Sequence, residues 1–173
     1  IFLTHSHSDH TANAQYFSAL FGCPVFINEN GVARMREGRC VLPKGTRPLG
    51  KLMIFLEHAL PFIKLESFEP CPDAQPMTRG VVSRYLGEWA ELIETPGHTD
   101  DSVSLIINRI AIVGDCAFNM LGNKFPAFAD DPALVKKAWA GLLETPAEWF
   151  CPAHGMPFQR CELEEASESD RAD

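Results

Sequence analysis

Three features are missing from this sequence, and each absence excludes a class of protein. No run of 18 or more apolar residues occurs: the most apolar stretch, 49–63, is interrupted by Lys51, Glu57 and Pro61, which excludes a membrane-spanning helix. No signal-peptide pattern leads the chain, and its six cysteines contain no CxxC pair, which favours reduced thiols over a disulfide framework. We therefore expect a cytoplasmic protein without a membrane partner.

Positive charge is also scarce. The 173 residues carry 15 lysines and arginines against 23 aspartates and glutamates, which gives a formal net charge of −8. A chain this acidic lacks a basic surface for phosphate backbones, so we expect no nucleic-acid partner. Six of the acidic side chains lie in 161–173, which we interpret as a solvated, frayed tail after a single domain at 1–160.

Helix and strand patterns alternate along the domain, which predicts a mixed α/β layered fold. Helix patterns occur at 11–21, 28–36 and 49–60, and again from Pro132 after the N-cap Asp131. Strand patterns occur at 1–4, 24–27, 84–94, 103–107, 110–113 and 149–152. The helix at 11–21 is predicted to bury one apolar face, formed by Ala14, Phe17, Leu20 and Phe21.

A cluster of histidines follows the first predicted strand. His5, His7 and His10, with Asp9 between them, account for three of the six histidines within six positions. Imidazole and carboxylate are ligands for zinc and similar divalent metals, and the His5-x-His7 spacing lets both rings face one ion. Asp9 and His10 can turn toward a second ion, and two ions about 3.5–4 Å apart can activate water. The cluster therefore indicates a metal site.

Three more candidate ligands lie downstream, each directly after a predicted strand. His98 and His154 are on turns that contain Pro and Gly, and Asp115 follows Gly114. Loops at strand ends are where sites are built, although a single histidine is more often a surface or core residue. Together with the cluster these residues predict two divalent ions, with zinc favoured, and iron or manganese also accept His/Asp ligands.

The motifs THSHSDH (residues 4–10), TPGHT (95–99), GD (114–115) and PAHG (152–155) occur in this order. They resemble those of the metallo-β-lactamase-fold hydrolase superfamily, from residue 1 to about residue 158. The resemblance implies an αββα sandwich. It also implies ligand roles: His5, His7 and His98 for the first ion, Asp9, His10 and His154 for the second, and Asp115 as a bridge. A hydroxide between the ions would be the nucleophile, and Asp9 would help to orient it.

The bridging Asp115 is typical of glyoxalase II-like, lactonase-like and phosphodiesterase-like members of the family. The spacing from Asp115 to His154 resembles the glyoxalase II-like arrangement, but few residues follow His154, and a glutathione thioester is not expected as substrate. His7 stands where flavodiiron proteins have Glu, which argues against a redox site. In Thr99-Asp100-Asp101-Ser102 the two carboxylates depart from the commoner pattern, and we expect them to cap a turn.

Family members begin with β-strands that precede the histidine turn, whereas this sequence starts at that turn without Met. We therefore expect the N-terminal half of the first sheet to be missing, with an apolar face completed by a homo-oligomer, an exchanged strand or further residues. An apolar helical insert at about 38–65 is interpreted as a core or interface element, or as a lid over an apolar pocket. His58 in this insert matches no motif and is interpreted as structural.

Three functions are compatible with these residues. The preferred hypothesis is a dinuclear metal-dependent hydrolase that attacks a small-molecule ester, thioester or lactone. A non-catalytic fragment stabilised by its metals is the second, because metal binding energy is also folding energy. Phosphodiester hydrolysis is the third, because the same site would serve it.

Overall fold

The computed structural model describes residues 1–41, 44–46, 50–52, 55–56, 67–120 and 122–169. Its described residues form two sheets. In the first, β1 (Phe26–Ile27) pairs in parallel with β2 (Gln75–Pro76). The second has five strands in chain order, of which only the β5–β6 pair is parallel. They are β3 (Ala90–Glu94), β4 (Val103–Ile107), β5 (Ile110–Gly114), β6 (Trp149–Pro152) and β7 (Phe158–Gln159).

Helices flank both sheets. The described helices are α1 (Ser8–Thr11), α2 (Ala14–Phe21), α3 (Glu29–Glu37), α4 (Arg79–Leu86), α5 (Pro132–Leu143) and α6 (Arg160–Ser169). Asp131 caps α5 as predicted, because its carboxylate accepts hydrogen bonds from the backbone N–H groups of Ala133 and Leu134. The strands predicted at 103–107 and 110–113 are present as β4 and β5 and form a hairpin, with Asn108 in the left-handed region at φ 55°.

Three buried clusters show how these elements are layered. One contains Ile27 and Met35 and joins the first sheet to α3. A second contains Phe26 and Leu105 and joins the first sheet to the second. The third joins the other face of the second sheet to α5 and α6 and includes Trp139. The order helix, sheet, sheet, helix is the predicted αββα sandwich.

The first residues do not form a regular strand. Phe2 makes an isolated parallel bridge with Phe26, and the Leu3 N–H donates to the Phe26 carbonyl at 2.9 Å. The Thr4 carbonyl accepts from the Val103 N–H at 2.9 Å, so this extended segment connects the first sheet to β4. It directs the chain toward the start of β4 just before His5.

An exposed apolar groove lies beside this segment. Ile110 and Ile112 on β5, together with Phe2 and Cys151, line a volume of 510 Å³ that reaches His10. Ile110 is 44% exposed and Ile112 is 38% exposed, because alternate β5 residues face away from the α5–α6 cluster.

The C-terminal segment differs from its prediction. Residues 161–169 belong to α6 rather than to a frayed tail, because Leu163 is fully buried against the second sheet and α5. The acidic side chains obscured this one apolar anchor. Helix α6 also contributes Glu162, which accepts a hydrogen bond from the buried Lys124 ammonium at 2.8 Å.

Two other predictions are wrong in detail. The helix predicted at 11–21 begins at Ala14 after the short α1, and Ala14 is the one member of its predicted apolar face that is buried: Leu20 is 58% exposed and Phe21 is 69% exposed. The strand pattern predicted at 84–94 starts only at Ala90, because Thr78 caps α4 and the helix continues to Leu86.

The predicted helix at 49–60 and the insert at 38–65 lie largely outside the described residues, as does His58. Within the described ranges, no helix is both long enough and apolar enough to cross a membrane.

Candidate metal centre

The predicted ligands lie on loops that the two sheets bring together. His5, His7, Asp9 and His10 occupy the turn and short α1 that follow the first extended segment, and His98, Asp115 and His154 follow β3, β5 and β6. Two glycines allow the close approach. Gly97 lies at φ 134° against the first turn of α5, and Gly114 lies at φ 52°, where a Cβ would come within 2.6 Å of the Thr4 hydroxyl.

One group of four ligands is buried. His5, His7, His98 and Asp115 each place one ligand atom within 4.8 Å of all the others. His7 Nδ1 lies 3.0 Å from His5 Nε2 and 2.9 Å from His98 Nε2, and His98 Nε2 lies 3.4 Å from Asp115 Oδ2. Four ligands around a tetrahedral zinc ion at about 2.0–2.1 Å are separated from one another by about 3.3 Å. These three separations are within about 0.4 Å of that value, and His5 Nε2 lies 4.0 Å from Asp115 Oδ2.

The hydrogen bonds of two of these rings fix where their protons are. His7 Nε2 faces the Val41 carbonyl at 3.1 Å, and His98 Nδ1 faces the Phe128 carbonyl at 2.7 Å. A carbonyl oxygen only accepts, so both of these nitrogens must donate. In neutral imidazoles His7 Nδ1 and His98 Nε2 then carry lone pairs, and these two atoms are 2.9 Å apart. Two lone pairs that face each other at this distance repel, and a cation bound between or beside them removes that repulsion.

The other three predicted ligands form a second, more exposed group. Asp9, His10 and His154 also place their ligand atoms within 4.8 Å of one another. His154 Nε2 lies 3.2 Å from Asp9 Oδ2 and 3.4 Å from Asp115 Oδ2, and His10 Nε2 lies 3.4 Å from Asp115 Oδ1. Asp115 therefore lies between the two groups, at the position expected for a bridging carboxylate.

Unpartnered atoms at the centre fit a divalent ion. Among the described residues, neither His10 Nε2 nor Asp115 Oδ1 has a hydrogen-bond partner, although both atoms are buried. Buried polar atoms are normally satisfied, so such a pair calls for a missing ligand or ion. Three imidazoles on one side, two imidazoles and a carboxylate on the other, and a carboxylate between them suit two ions of the zinc, iron or manganese type.

Burial and charge set the protonation of the ligands. Burial lowers the pKa of His98 to about 4, and burial also lowers the pKa values of His5 and His7 below the ordinary value of 6.5. Burial alone would raise the pKa of Asp115, but the adjacent His10 and His154 imidazoles hold it well below its ordinary value. The buried histidines are therefore neutral and Asp115 ionised at pH 7, which is the state that binds metal.

Several neighbours of the site left little signal in the sequence. The ring of buried Phe118 lies 4.9 Å from that of His154 and 6.5 Å from that of His98, which makes it an apolar wall of the centre. The carbonyls that orient His7 and His98 belong to the backbone, so they could not be predicted from the type of any residue in the sequence. The predicted turn-capping is wrong for Asp101, whose buried carboxylate oxygens have no hydrogen-bond partner among the described residues, and the Asp100 carboxylate pairs with an arginine on α3.

Cys116 is a small buried residue. It follows Asp115 directly, and burial raises the pKa of its thiol to about 12. Thr99 and Ser102 are turn residues: their hydroxyl oxygens are 2.7 Å apart, and the Thr99 N–H donates to the Ser102 hydroxyl at 3.2 Å.

Comparison with known proteins gives sequence relatives and structural neighbours. A probable metallo-hydrolase of Methanocaldococcus jannaschii, MJ0888, is 27% identical over 115 residues, which cover 66% of this chain and 47% of that protein. The chain thus spans about half the length of that curated relative.

The solved structures resemble this chain over nearly its whole length. ST1585, an archaeal metallo-beta-lactamase superfamily protein from Sulfolobus tokodaii, gives a TM-score of 0.65 at 19% identity, with 98% of this chain and 66% of that chain covered. TTHA1429, a metallo-beta-lactamase family protein from Thermus thermophilus, gives 0.68 at 22% identity, with 99% and 60% covered. TTHA1623 in a di-iron-bound form gives 0.62 at 21% identity, with 96% and 74% covered.

These structures show that their fold is similar to that of this chain. The family itself follows from a match of the sequence. The model of the metallo-beta-lactamase superfamily matches residues 1–154, a range that includes every predicted ligand from His5 to His154. The chain belongs to the metallo-beta-lactamase superfamily.

Proposed function

We propose that this protein is a dinuclear metal-dependent hydrolase that acts on a small ester, thioester or lactone. The observation that carries the proposal is the pair of lone pairs on His7 and His98, 2.9 Å apart, whose tautomers are fixed by backbone carbonyls. A cation at the centre of the buried group reconciles those tautomers with their spacing. Such a site is suited to hydrolysis, and the superfamily includes hydrolases such as the relative from Methanocaldococcus jannaschii.

The residues divide between two ions. His5, His7 and His98 would hold the first, His10, His154 and Asp9 the second, and Asp115 would be shared by both. Zinc suits this set best, although iron and manganese accept the same ligands. When bound, the ions supply an activated water molecule and polarise the carbonyl oxygen of the substrate.

The chain itself would orient the reactants. The Asp9 side chain is 56% exposed, so one of its carboxylate oxygens can meet solvent while the other faces His154. We assign to Asp9 the orientation of the attacking water and the acceptance of its proton. Phe118 would exclude bulk water from the inner side of the site, which strengthens every electrostatic contact there.

The charge of the protein supports an acyl substrate over a phosphodiester. A net charge of −8 repels polyanions, and Arg34, the arginine beside the His98 turn, is paired with a carboxylate. We expect a small neutral or weakly charged substrate. A homo-oligomer that completes the first sheet stays a prediction.

The test is a hydrolysis panel on metal-loaded protein, with a thioester, a lactone and bis-p-nitrophenyl phosphate. Asp9→Asn is compared with Asp73→Asn, a matched change at an exposed aspartate on a turn outside the ligand set. We expect acyl hydrolysis that a chelator abolishes and that Asp9→Asn lowers by about 100-fold or more. The control should keep the rate of the parent protein.

Each alternative has its own outcome. Turnover of the phosphodiester but not of the acyl substrates would replace the proposed substrate class. Two bound metals per chain without turnover of any substrate would support a non-catalytic, metal-stabilised protein. Hydrolysis that persists in chelator would contradict the proposed mechanism.

A further inference from the structure

The turn that carries His98 is held from the opposite side by helix α3. The Arg34 guanidinium donates to both carboxylate oxygens of Asp100, with Nη1 at 2.6 Å from Oδ1 and Nη2 at 2.9 Å from Oδ2. The Asn30 side-chain amide donates to the Asp100 carbonyl at 3.2 Å. A bidentate arginine pair fixes orientation as well as distance, so α3 grips this turn at a defined angle.

Asp101, the next residue, is the unusual member of the contact. Its side chain is 0% exposed, and within the described part of the chain neither of its carboxylate oxygens has a hydrogen-bond partner. The cation beside it is again Arg34, whose Nη1 lies 3.4 Å from Asp101 Oδ1. A buried carboxylate is costly unless a charge offsets it, so the Asp101 side chain depends on this arginine.

The surface of α3 is shaped to admit that carboxylate. Gly31 lies one turn before Arg34 and faces Asp101, and a Cβ at Gly31 would collide with Asp101 Oδ2. Glycine is unfavourable inside a helix, and here its value is the close approach. The residue pattern on α3 thus provides both a cavity and a counter-charge for one buried side chain.

We propose that Arg34 is a positioning residue for the metal centre, holding the Asp100–Asp101 turn so that His98 meets the first ion. The proposal rests on the proposed metal centre. His98 stands two residues before Asp100, and its carbonyl accepts from the Asp130 N–H at 3.2 Å, while the Gly97 N–H donates to the Thr99 carbonyl at 3.1 Å. Those two bonds hold one side of the turn, and Arg34 holds the other.

Loss of Arg34 would therefore reach the ion through His98. An uncompensated Asp101 carboxylate would move toward water and draw the turn with it, and His98 Nε2 would leave its place beside His7 Nδ1. Removing a group that orients a metal ligand lowers metal affinity by about 10–100-fold. A purely structural ion pair would instead lower the stability of the metal-free and metal-loaded proteins equally.

The experiment is a Co²⁺ titration of metal-free protein, followed by the visible absorption of the bound ion. The variants are Arg34→Met, Arg34→Lys and the double variant Arg34→Met with Asp101→Asn. The control is Arg109→Met, which breaks the exposed pair of Arg109 with Glu148. Thermal melts of each protein, with and without Co²⁺, show whether the variant folds and how much the ion stabilises it.

We expect Arg34→Met to bind the first Co²⁺ about 10–100-fold more weakly, with a smaller metal-induced rise in Tm. Arg34→Lys should have a Co²⁺ affinity between those of the parent protein and Arg34→Met, because an ammonium keeps the positive charge but cannot make the bidentate contact of a guanidinium. The double variant should recover affinity relative to Arg34→Met, since a neutral amide at 101 no longer needs a counter-charge. Arg109→Met should behave as the parent protein.

Two results would overturn the proposal. One is unchanged Co²⁺ affinity in Arg34→Met together with a lower Tm in both forms, which would make Arg34 a structural residue alone. The other is a double variant no better than Arg34→Met, which would remove the role of the Asp101 charge. If the parent protein takes up no metal at all, the proposed function itself fails, and that outcome is distinct from both.

Discussion

Trp139 connects the helical layer to the strand end that carries the central carboxylate. It is 1% exposed on α5, and its indole N–H donates to the Cys116 carbonyl at 2.8 Å. Cys116 directly follows Asp115 in the chain. The change Trp139→Phe keeps an aromatic ring in the core but removes the donor, so it tests this connection with little change in shape.

The expected loss has two parts. A buried carbonyl deprived of its donor costs about 1–3 kcal/mol. The missing ring atoms add about 1 kcal/mol for lost apolar burial and the space left behind. We therefore expect the free energy of unfolding to fall by about 3 kcal/mol. For a chain of this length that corresponds to a Tm lowered by about 6–12 °C.

The assay is urea unfolding of metal-free protein, followed by far-UV circular dichroism. Metal is removed because a bound ion would add stability that depends on its concentration. The matched control is Trp149→Phe, since Trp149 is 43% exposed and should lose less than about 1 kcal/mol. Equal losses in the two variants would refute the reasoning, because the Cys116 hydrogen bond would then contribute nothing measurable.

Three further predictions concern the packing and ionisation of single side chains. Leu163→Ala on α6 should lower the free energy of unfolding by about 2–5 kcal/mol in the same assay, whereas Glu165→Ala on the exposed side of α6 should lower it by less than about 0.5 kcal/mol. A small loss for Leu163→Ala would mean that α6 is only loosely packed. Burial lowers the pKa of His98 from 6.5 in the unfolded chain to about 4 in the folded protein. The free energy of unfolding of the metal-free protein should therefore fall by about 3 kcal/mol as the pH falls from 6.5 to 4. His98→Gln should make the free energy of unfolding depend less on pH, and an unchanged pH dependence would contradict the prediction. A thiol reagent should label exposed Cys161 rapidly and buried Cys116 only on unfolding. If Cys116 is labelled rapidly in the folded Cys161→Ser variant, the core opens and the prediction is wrong.

The sequence was most informative where chemistry and turn residues coincide. The seven proposed ligands were predictable because imidazoles and carboxylates in a tight cluster, and on Gly-containing turns after strands, have few other uses. The hairpin at Asn108 and the N-cap at Asp131 were predictable from local backbone preferences alone.

Other features depend on tertiary contacts that no local pattern contains. The sequence of α6 resembles a charged tail because only one of its side chains, Leu163, is buried among many acidic residues. Helix α2 shows an apolar periodicity although Leu20 and Phe21 face solvent. The Arg34 contact joins residues 66 positions apart, and nothing in the sequence of α3 singles this arginine out from Arg36. Burial decides which charge matters, and burial is a property of the whole fold.

The two histidines at the heart of the buried group are oriented by carbonyls, not by side chains. Any amino acid at positions 41 and 128 supplies the same acceptor, so the residues there can change without altering which nitrogens of His7 and His98 face each other. Val41 is 66% exposed and its side chain makes no demand on the imidazole below it. The side chains above these two imidazoles can therefore change while the cluster of candidate ligands beneath them keeps its geometry.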